Sequence, residues 1–210
     1  LLALWDFPVK RGSTTAIPEE TVFIISLYHW RFRVKLETIK SDLCFHGRAF
    51  DVRQDDVRLP NGHVVRLDIV VHKGSVVMVP LDQEGRIWFT RQYRHAAQDM
   101  MLELPAGVME DGETPDVSAE REIREEIGMA AGQLKNLGAF YLAPGYATER
   151  MVAFLATDLK PSPLQPDEDE LIQVEKIPVA RALQMAETAQ LHDAKSLAAL
   201  LLARPYLAGK

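Results

Sequence analysis

The stretch Gly107–Met129, GVMEDGETPDVSAEREIREEIGM, decides how the rest of the chain is read. Thr114-Pro115 is a helix start, an N-cap residue followed by proline at the first helical position, where a missing N–H costs nothing. Gly128 is the matching stop. Between them Ala119, Ile123 and Ile127 recur at helical spacing and make an apolar stripe for docking on a core. Glu122, Glu125 and Glu126 fall at i, i+3 and i+4, so three carboxylates share the adjoining arc. Like charges so placed destabilise a free helix by roughly 0.2–0.5 kcal/mol per pair, and a divalent cation held by the arc reverses that sign. Oxygen ligands with no cysteine or histidine nearby point to magnesium or manganese rather than zinc. For three glutamates alone, a solvated acidic face is the plain alternative. A calcium loop is excluded because the alternating Asp/Asn pattern with a central glycine is absent.

The full spacing goes further. The stretch fits G-x5-E-x7-R-E-U-x-E-E-x-G-U without a mismatch, U being a bulky aliphatic residue. Gly107, Glu113, Arg121, Glu122, Glu125, Glu126 and Gly128 fill the fixed places, and Ile123 and Met129 the apolar ones. Ordinary residue frequencies produce such a match roughly once in 10^8 starts. The segment resembles the signature of the Nudix hydrolases. That resemblance implies an α/β (mixed α+β) Nudix fold, a mixed β-sheet sandwiched between helices, with a small N-terminal β subdomain. It implies Glu122 and Glu126 as direct metal ligands, with Glu125 as a ligand or close support and the main-chain carbonyl of Ala106 completing the site. Arg121 is then expected to orient the glutamates by ion pairing, with Glu113 behind it. Gly107 and Gly128 are expected to permit the backbone turns at either end of the box.

Flanking residues narrow the substrate. Upstream, Arg91-Gln92-Tyr93-Arg94 and Leu102-Glu103-Leu104-Pro105-Ala106-Gly107 resemble the approach to the box in ADP-ribose pyrophosphatases and nucleotide-sugar hydrolases. Arg91, Arg94 and Glu103 are the substrate-binding candidates, since a guanidinium can give two parallel hydrogen bonds to a phosphate. A surface ion pair is the plain reading of either arginine. Downstream, Pro144-Gly145 stands where a proline accompanies ADP-ribose activity in this family, although an ordinary hairpin turn uses the same residues. Asp167-Glu168-Asp169-Glu170 lies just before a predicted strand, where related hydrolases carry the carboxylate that activates water. Glu168 is the first candidate for general base and Glu170 the second, with Glu125 of the box behind them. Asp193–Leu200 resembles the last helix of the subgroup and is read as packing.

Outside the box, β-branched runs and turn signals organise the chain. Asn61-Gly62 precedes the strand-like Val64–Val71, and Asp82–Gly85 joins Ser75–Pro80 to Arg86–Tyr93. Leu134–Ala143, Met151–Asp158 and Leu171–Ile177 read as strands, and Pro178–Thr188 and Asp193–Ala203 as helices. The expected layout is an unassigned extension at 1–33, a β subdomain at 34–74 used for dimerisation, and a hydrolase domain at 75–205.

Composition sets the outer bounds. The chain has 210 residues and a formal net charge of -6, which argues against nonspecific nucleic-acid or anionic-membrane binding. The apolar run Thr21–Tyr28 falls far short of the ~20 residues a span needs. Cys44 stands alone, which excludes an intrachain disulfide, fits a reducing cytoplasmic compartment, and is read as a small buried hydrophobe.

Together these readings predict magnesium-dependent (or manganese-dependent) hydrolysis of the pyrophosphate bond of ADP-ribose, giving AMP and ribose 5-phosphate, in a homodimer. A GDP-mannose or other nucleotide-sugar pyrophosphatase is the alternative within the class. A non-catalytic nucleotide-sensing module is the alternative outside it. Such a module would lack box carboxylates or carry a DNA-binding segment, and neither feature is found here.

Overall fold

Six consecutive residues of the fourth strand, Ser75–Pro80, are buried, so this strand lies at the centre of the structure. The computed structural model describes residues 36–165 and 171–207. In chain order the strands are β1 (Glu37–His46), β2 (Asp51–Arg58), β3 (Val64–Val71), β4 (Ser75–Pro80), β5 (Arg86–Arg94), β6 (Asp99–Glu103), β7 (Ala106–Val108), β8 (Met129–Tyr141), β9 (Arg150–Pro161) and β10 (Gln173–Pro178). The helices are α1 (Pro115–Glu126), α2 (Val179–Glu187) and α3 (Ala194–Leu207).

A four-stranded sheet runs β7-β4-β9-β8, with β4 and β9 parallel and the outer pairs antiparallel. Alternation along its two central strands assigns the faces. Val76, Met78, Val152, Phe154 and Ala156 point to one side and pack with Ala119, Ile123 and Ile127 of the box helix. Val77, Val79, Met151, Ala153 and Leu155 point to the other, against β5, β6, α2 and α3. Strands buried on both faces read as continuous apolar runs, which is what VVMV and MVAFLA are. The expected mixed sheet between helices is therefore present. Two antiparallel sheets, β10-β5-β6 and β1-β2-β3, accompany it.

The turns follow the local chemistry. Asn61-Gly62 lies in the β2–β3 connection, closed by hydrogen bonds of Leu59 N–H to His63 O at 2.8 Å and Gly62 N–H to Leu59 O at 2.9 Å. At the head of α1, Thr114 has extended backbone but its side chain makes no capping bond, and the first turn closes through Ser118 N–H to Thr114 O at 3.0 Å. Gly128 ends that helix at φ +70, a left-handed conformation open to glycine and costly for other residues.

Two expectations need correcting. Cys44 is exposed on β1, whose ten residues are all exposed, and β1 is an edge strand of the β1-β2-β3 sheet. The strand expected from Leu134 begins at Met129, since pairing of Met129–Ala131 with Pro161–Leu159 extends it through residues of low β-propensity. Among the described residues no helix is long and apolar enough to cross a membrane.

Candidate active site

The box helix presents its glutamates where its N-terminal loop folds back on it. Glu122 and Glu126 are buried, while Glu125 is half-buried. β7 runs beside them so closely that a Cβ on Gly107 would lie 1.9 Å from the Glu122 carboxyl carbon. With the carboxylate in this position there is no room for a Cβ, and an added one would force the Glu122 side chain to move. Gly107 is thus needed for space, whereas the sequence suggested a turn; of the two box-end glycines only Gly128 has a positive φ. Gly107→Ala is expected to displace the Glu122 carboxylate and cut turnover at least about tenfold, with little loss of helix content. Equal turnover in a well-folded Gly107→Ala protein would remove the close approach from the mechanism.

Arg121 is the hub of the box. Nε and Nη2 each donate to Glu113 at 2.9 Å, Nη1 donates to Glu122 at 2.8 Å and to Glu125 at 2.9 Å, and Nη2 reaches the Val108 carbonyl at 3.1 Å. The Arg121 guanidinium, helped by the Glu110 N–H, holds the Glu113 carboxyl at about 2, so Glu113 is a permanent anion that steadies the arginine. Arg121 thus bonds all three of Glu113, Glu122 and Glu125.

Among the described residues no three acidic, histidine or cysteine side chains converge closely enough to hold a metal as they stand. Instead Arg121 Nη1 lies between Glu122 and Glu125 and meets the need for positive charge there. The donor set still suits a hard cation. Two carboxylates already share one partner atom, Glu126 Oε2 accepts the Ala106 N–H at 3.2 Å, and all the side-chain donors are oxygen.

This corner forms part of a cleft of about 610 Å³, within the size range of small-ligand sites. Its other wall carries Arg94, whose Nε and Nη2 grip Glu103 side-on at 2.9 and 2.7 Å. Glu103 is 3% exposed. Burial alone would raise its pKa, but Arg94 and Lys195 outweigh that and hold it below the usual carboxylate range. Lys195 bonds Glu103 and stands 3.0 Å from Asp193. Asp193 in turn accepts the Ser196 N–H at 3.0 Å and caps α3, while Ser196 Oγ accepts the Leu104 N–H at 2.7 Å. The first turn of α3, read from sequence as packing, is therefore bonded into the cleft wall.

Other nominated residues fall elsewhere. Arg91 is ion-paired with Glu175 across the β5–β10 pair and does not line the cleft. Pro144-Gly145 forms the β8–β9 turn, closed onto Ala143 O by Tyr146 and Ala147, and its neighbours Leu142 and Glu149 line the cleft instead. Ser75 Oγ donates to Glu149 at 2.8 Å. Glu168 and Glu170 lie outside the described residues. Sequence reading missed Lys195, Asp193, Glu149 and Ser75. Only the polar Asp193-Ala194-Lys195-Ser196 run ahead of the apolar Leu197–Leu202 offered a signal.

Comparison with known proteins agrees with this geometry. Residues 71–200 match the NUDIX domain family. An ADP-ribose pyrophosphatase of Bacillus subtilis is 36% identical over 166 residues, spanning 78% of this chain and 90% of that protein. A methanol dehydrogenase activator of Bacillus methanolicus is 35% identical over the same shares of each chain. A solved ADP compounds hydrolase superposes with a TM-score of 0.74 at 26% identity, covering 83% of this chain and 95% of that one. With the box complete, its carboxylates gathered by Arg121 at one cleft, and the domain match running over most of the chain, the protein belongs to the Nudix family.

Proposed function

We propose that the protein hydrolyses the P–O–P bridge of a nucleoside-diphosphate sugar, with ADP-ribose the preferred substrate and AMP and ribose 5-phosphate the products. The observation that carries this reading is the cleft itself, with the Arg121-clasped glutamates on one wall and Arg94 on the other. Its similarity to the Bacillus subtilis ADP-ribose pyrophosphatase supports the choice of substrate. Glu122, Glu125, Glu126 and the Ala106 carbonyl would hold magnesium, or manganese in its place. When bound, that ion supplies electrostatic stabilisation to the phosphoryl oxygens and to the leaving phosphate.

The chain's own groups do the rest. Arg121 holds Glu122 and Glu125 in position and would stay ion-paired with Glu113 when a cation is bound. Arg94, fixed side-on by Glu103, keeps Nη1 for a phosphate oxygen. Glu168 takes the proton from the attacking water, with Glu170 as the neighbouring candidate. Pro144-Gly145 shapes the loop that brings Leu142 and Glu149 to the cleft edge. The reading is tested by a hydrolysis panel of ADP-ribose, GDP-mannose and other nucleotide sugars, with products identified. ADP-ribose should give the highest kcat/KM; preference for GDP-mannose would overturn the substrate, and cleavage of none would overturn the reaction.

The same proposal includes assembly and setting. β1 is an edge strand with exposed Ile39, Leu43 and Phe45, an apolar strip that a second copy of the β1-β2-β3 sheet would cover. We assign residues 34–74 as the dimerisation subdomain and 75–205 as the hydrolase domain on that ground. Sedimentation at micromolar concentration should give a homodimer; a fully active monomer would remove this part. Cys44, exposed and free, is the ground for placing the protein in the cytoplasm, where thiols stay reduced.

A further inference from the structure

We infer that Lys195 is the second cation of a phosphate-binding wall, taking with Arg94 the place that sequence spacing had offered to Arg91. The inference rests on reading the cleft as a diphosphate site. Three observations carry it. Arg91 is occupied by Glu175 outside the cleft, whereas Lys195 lines the cleft together with Arg94 and the box glutamates. The Lys195 side chain is 12% exposed, so its charge is little screened. An ammonium has three donors, and among the described residues only Glu103 and Asp193 engage it, which leaves one for a ligand.

The arrangement also accounts for the buried Glu103. Its carboxylate takes two bonds from Arg94 and one from Lys195, so both cations are held in fixed positions. The side-on grip uses Nε and Nη2 and leaves Arg94 Nη1 without a hydrogen-bond partner among the described residues. Two cations and two carboxylates, Glu103 and Asp193, balance in charge without a ligand. An entering phosphate therefore meets donors already oriented, and the side-chain ordering that otherwise weakens binding is largely avoided. Lys195 acts through charge on a bound phosphate and takes no part in proton transfer.

The test measures binding apart from hydrolysis. Calorimetry with inorganic pyrophosphate and magnesium should give a dissociation constant about tenfold weaker for Lys195→Met than for wild type, with Lys195→Arg within about threefold. With ADP-ribose the same loss should appear in KM, with kcat changed by less than about threefold. Lys195→Gln, which keeps a donor to Glu103 and loses the charge, replaces Lys195→Met if that variant does not fold. Arg204→Met, which removes an equal charge from the exposed Arg204–Glu187 pair, should bind pyrophosphate within twofold of wild type. Lys195→Met or Lys195→Gln binding as tightly as wild type would overturn the inference, as would a wild type that binds no pyrophosphate. Charge-dependent pyrophosphate binding in a wild type that cleaves no nucleotide sugar would leave this wall standing and overturn the proposed reaction.

Discussion

Glu126→Gln is expected to lower turnover by roughly 10³-fold or more while the protein stays folded. On the proposed reading a cation held by the box glutamates would stabilise several kcal/mol of transition-state charge, and each 1.36 kcal/mol is a factor of about ten in rate. The substitution is nearly isosteric. Its amide oxygen can still accept the Ala106 N–H that now reaches Glu126 Oε2 at 3.2 Å, so the contact between helix and strand persists. What disappears is one negative charge on a residue that is 8% exposed. Loss of a charge among like charges can even raise the melting temperature, and a loss of stability near 1 kcal/mol would move it by only about 2–4 °C in a chain of this length. Activity within tenfold of wild type, with magnesium or manganese present in excess, would remove the helix from the mechanism. Chelation should abolish turnover in the wild type, and restoring magnesium or manganese should return it.

How much of this was legible beforehand depended on how far apart in sequence the partners lie. The box could be read because its glutamates, its arginine and its apolar stripe share one helix and one preceding loop. Spacing alone places Glu122, Glu125 and Glu126 on an arc. The core strands were legible for a similar reason, since VVMV and MVAFLA announce burial on both faces. The opposite wall of the cleft was not legible. Arg94 and Glu103 meet by pairing of adjacent strands, but Lys195 arrives from a helix 92 positions beyond Glu103, and no local pattern encodes that contact. Arg91 and Arg94 look alike in a strand of sequence, and three residues apart they fall on opposite faces. The structure separates them by giving each a different glutamate, Glu175 for Arg91 and Glu103 for Arg94. Gly107 was expected to permit a turn, whereas the structure places a carboxylate where its Cβ would be. That proximity appears only once β7 and α1 are packed.

Glu168→Gln is expected to depress kcat by about 10²–10⁴-fold, the usual range for loss of a general base, while KM moves much less. A proton acceptor acts when the water attacks and contributes little to ground-state binding, so the two parameters should separate. The chain before the acidic run is fastened to the end of the box helix. Arg124 Nε donates to Ser162 O at 3.1 Å, and Leu164 N–H donates to Arg124 O at the same distance. Beyond the run, β10 starts opposite Arg91 on β5. The described residues on either side of the run are thus both hydrogen-bonded into the structure, those before it to the box helix and those after it to β5. The Glu168→Gln protein should bind magnesium and ADP-ribose as the wild type does, because the carboxylates of the box are untouched. The same pattern in Glu170→Gln alone would keep the loop catalytic and move the base by two residues. Wild-type turnover in both variants would make the four acids a solvated loop. The water would then have to be activated from the box itself, by Glu125, whose half-buried carboxylate is held by Arg121 at 2.9 Å.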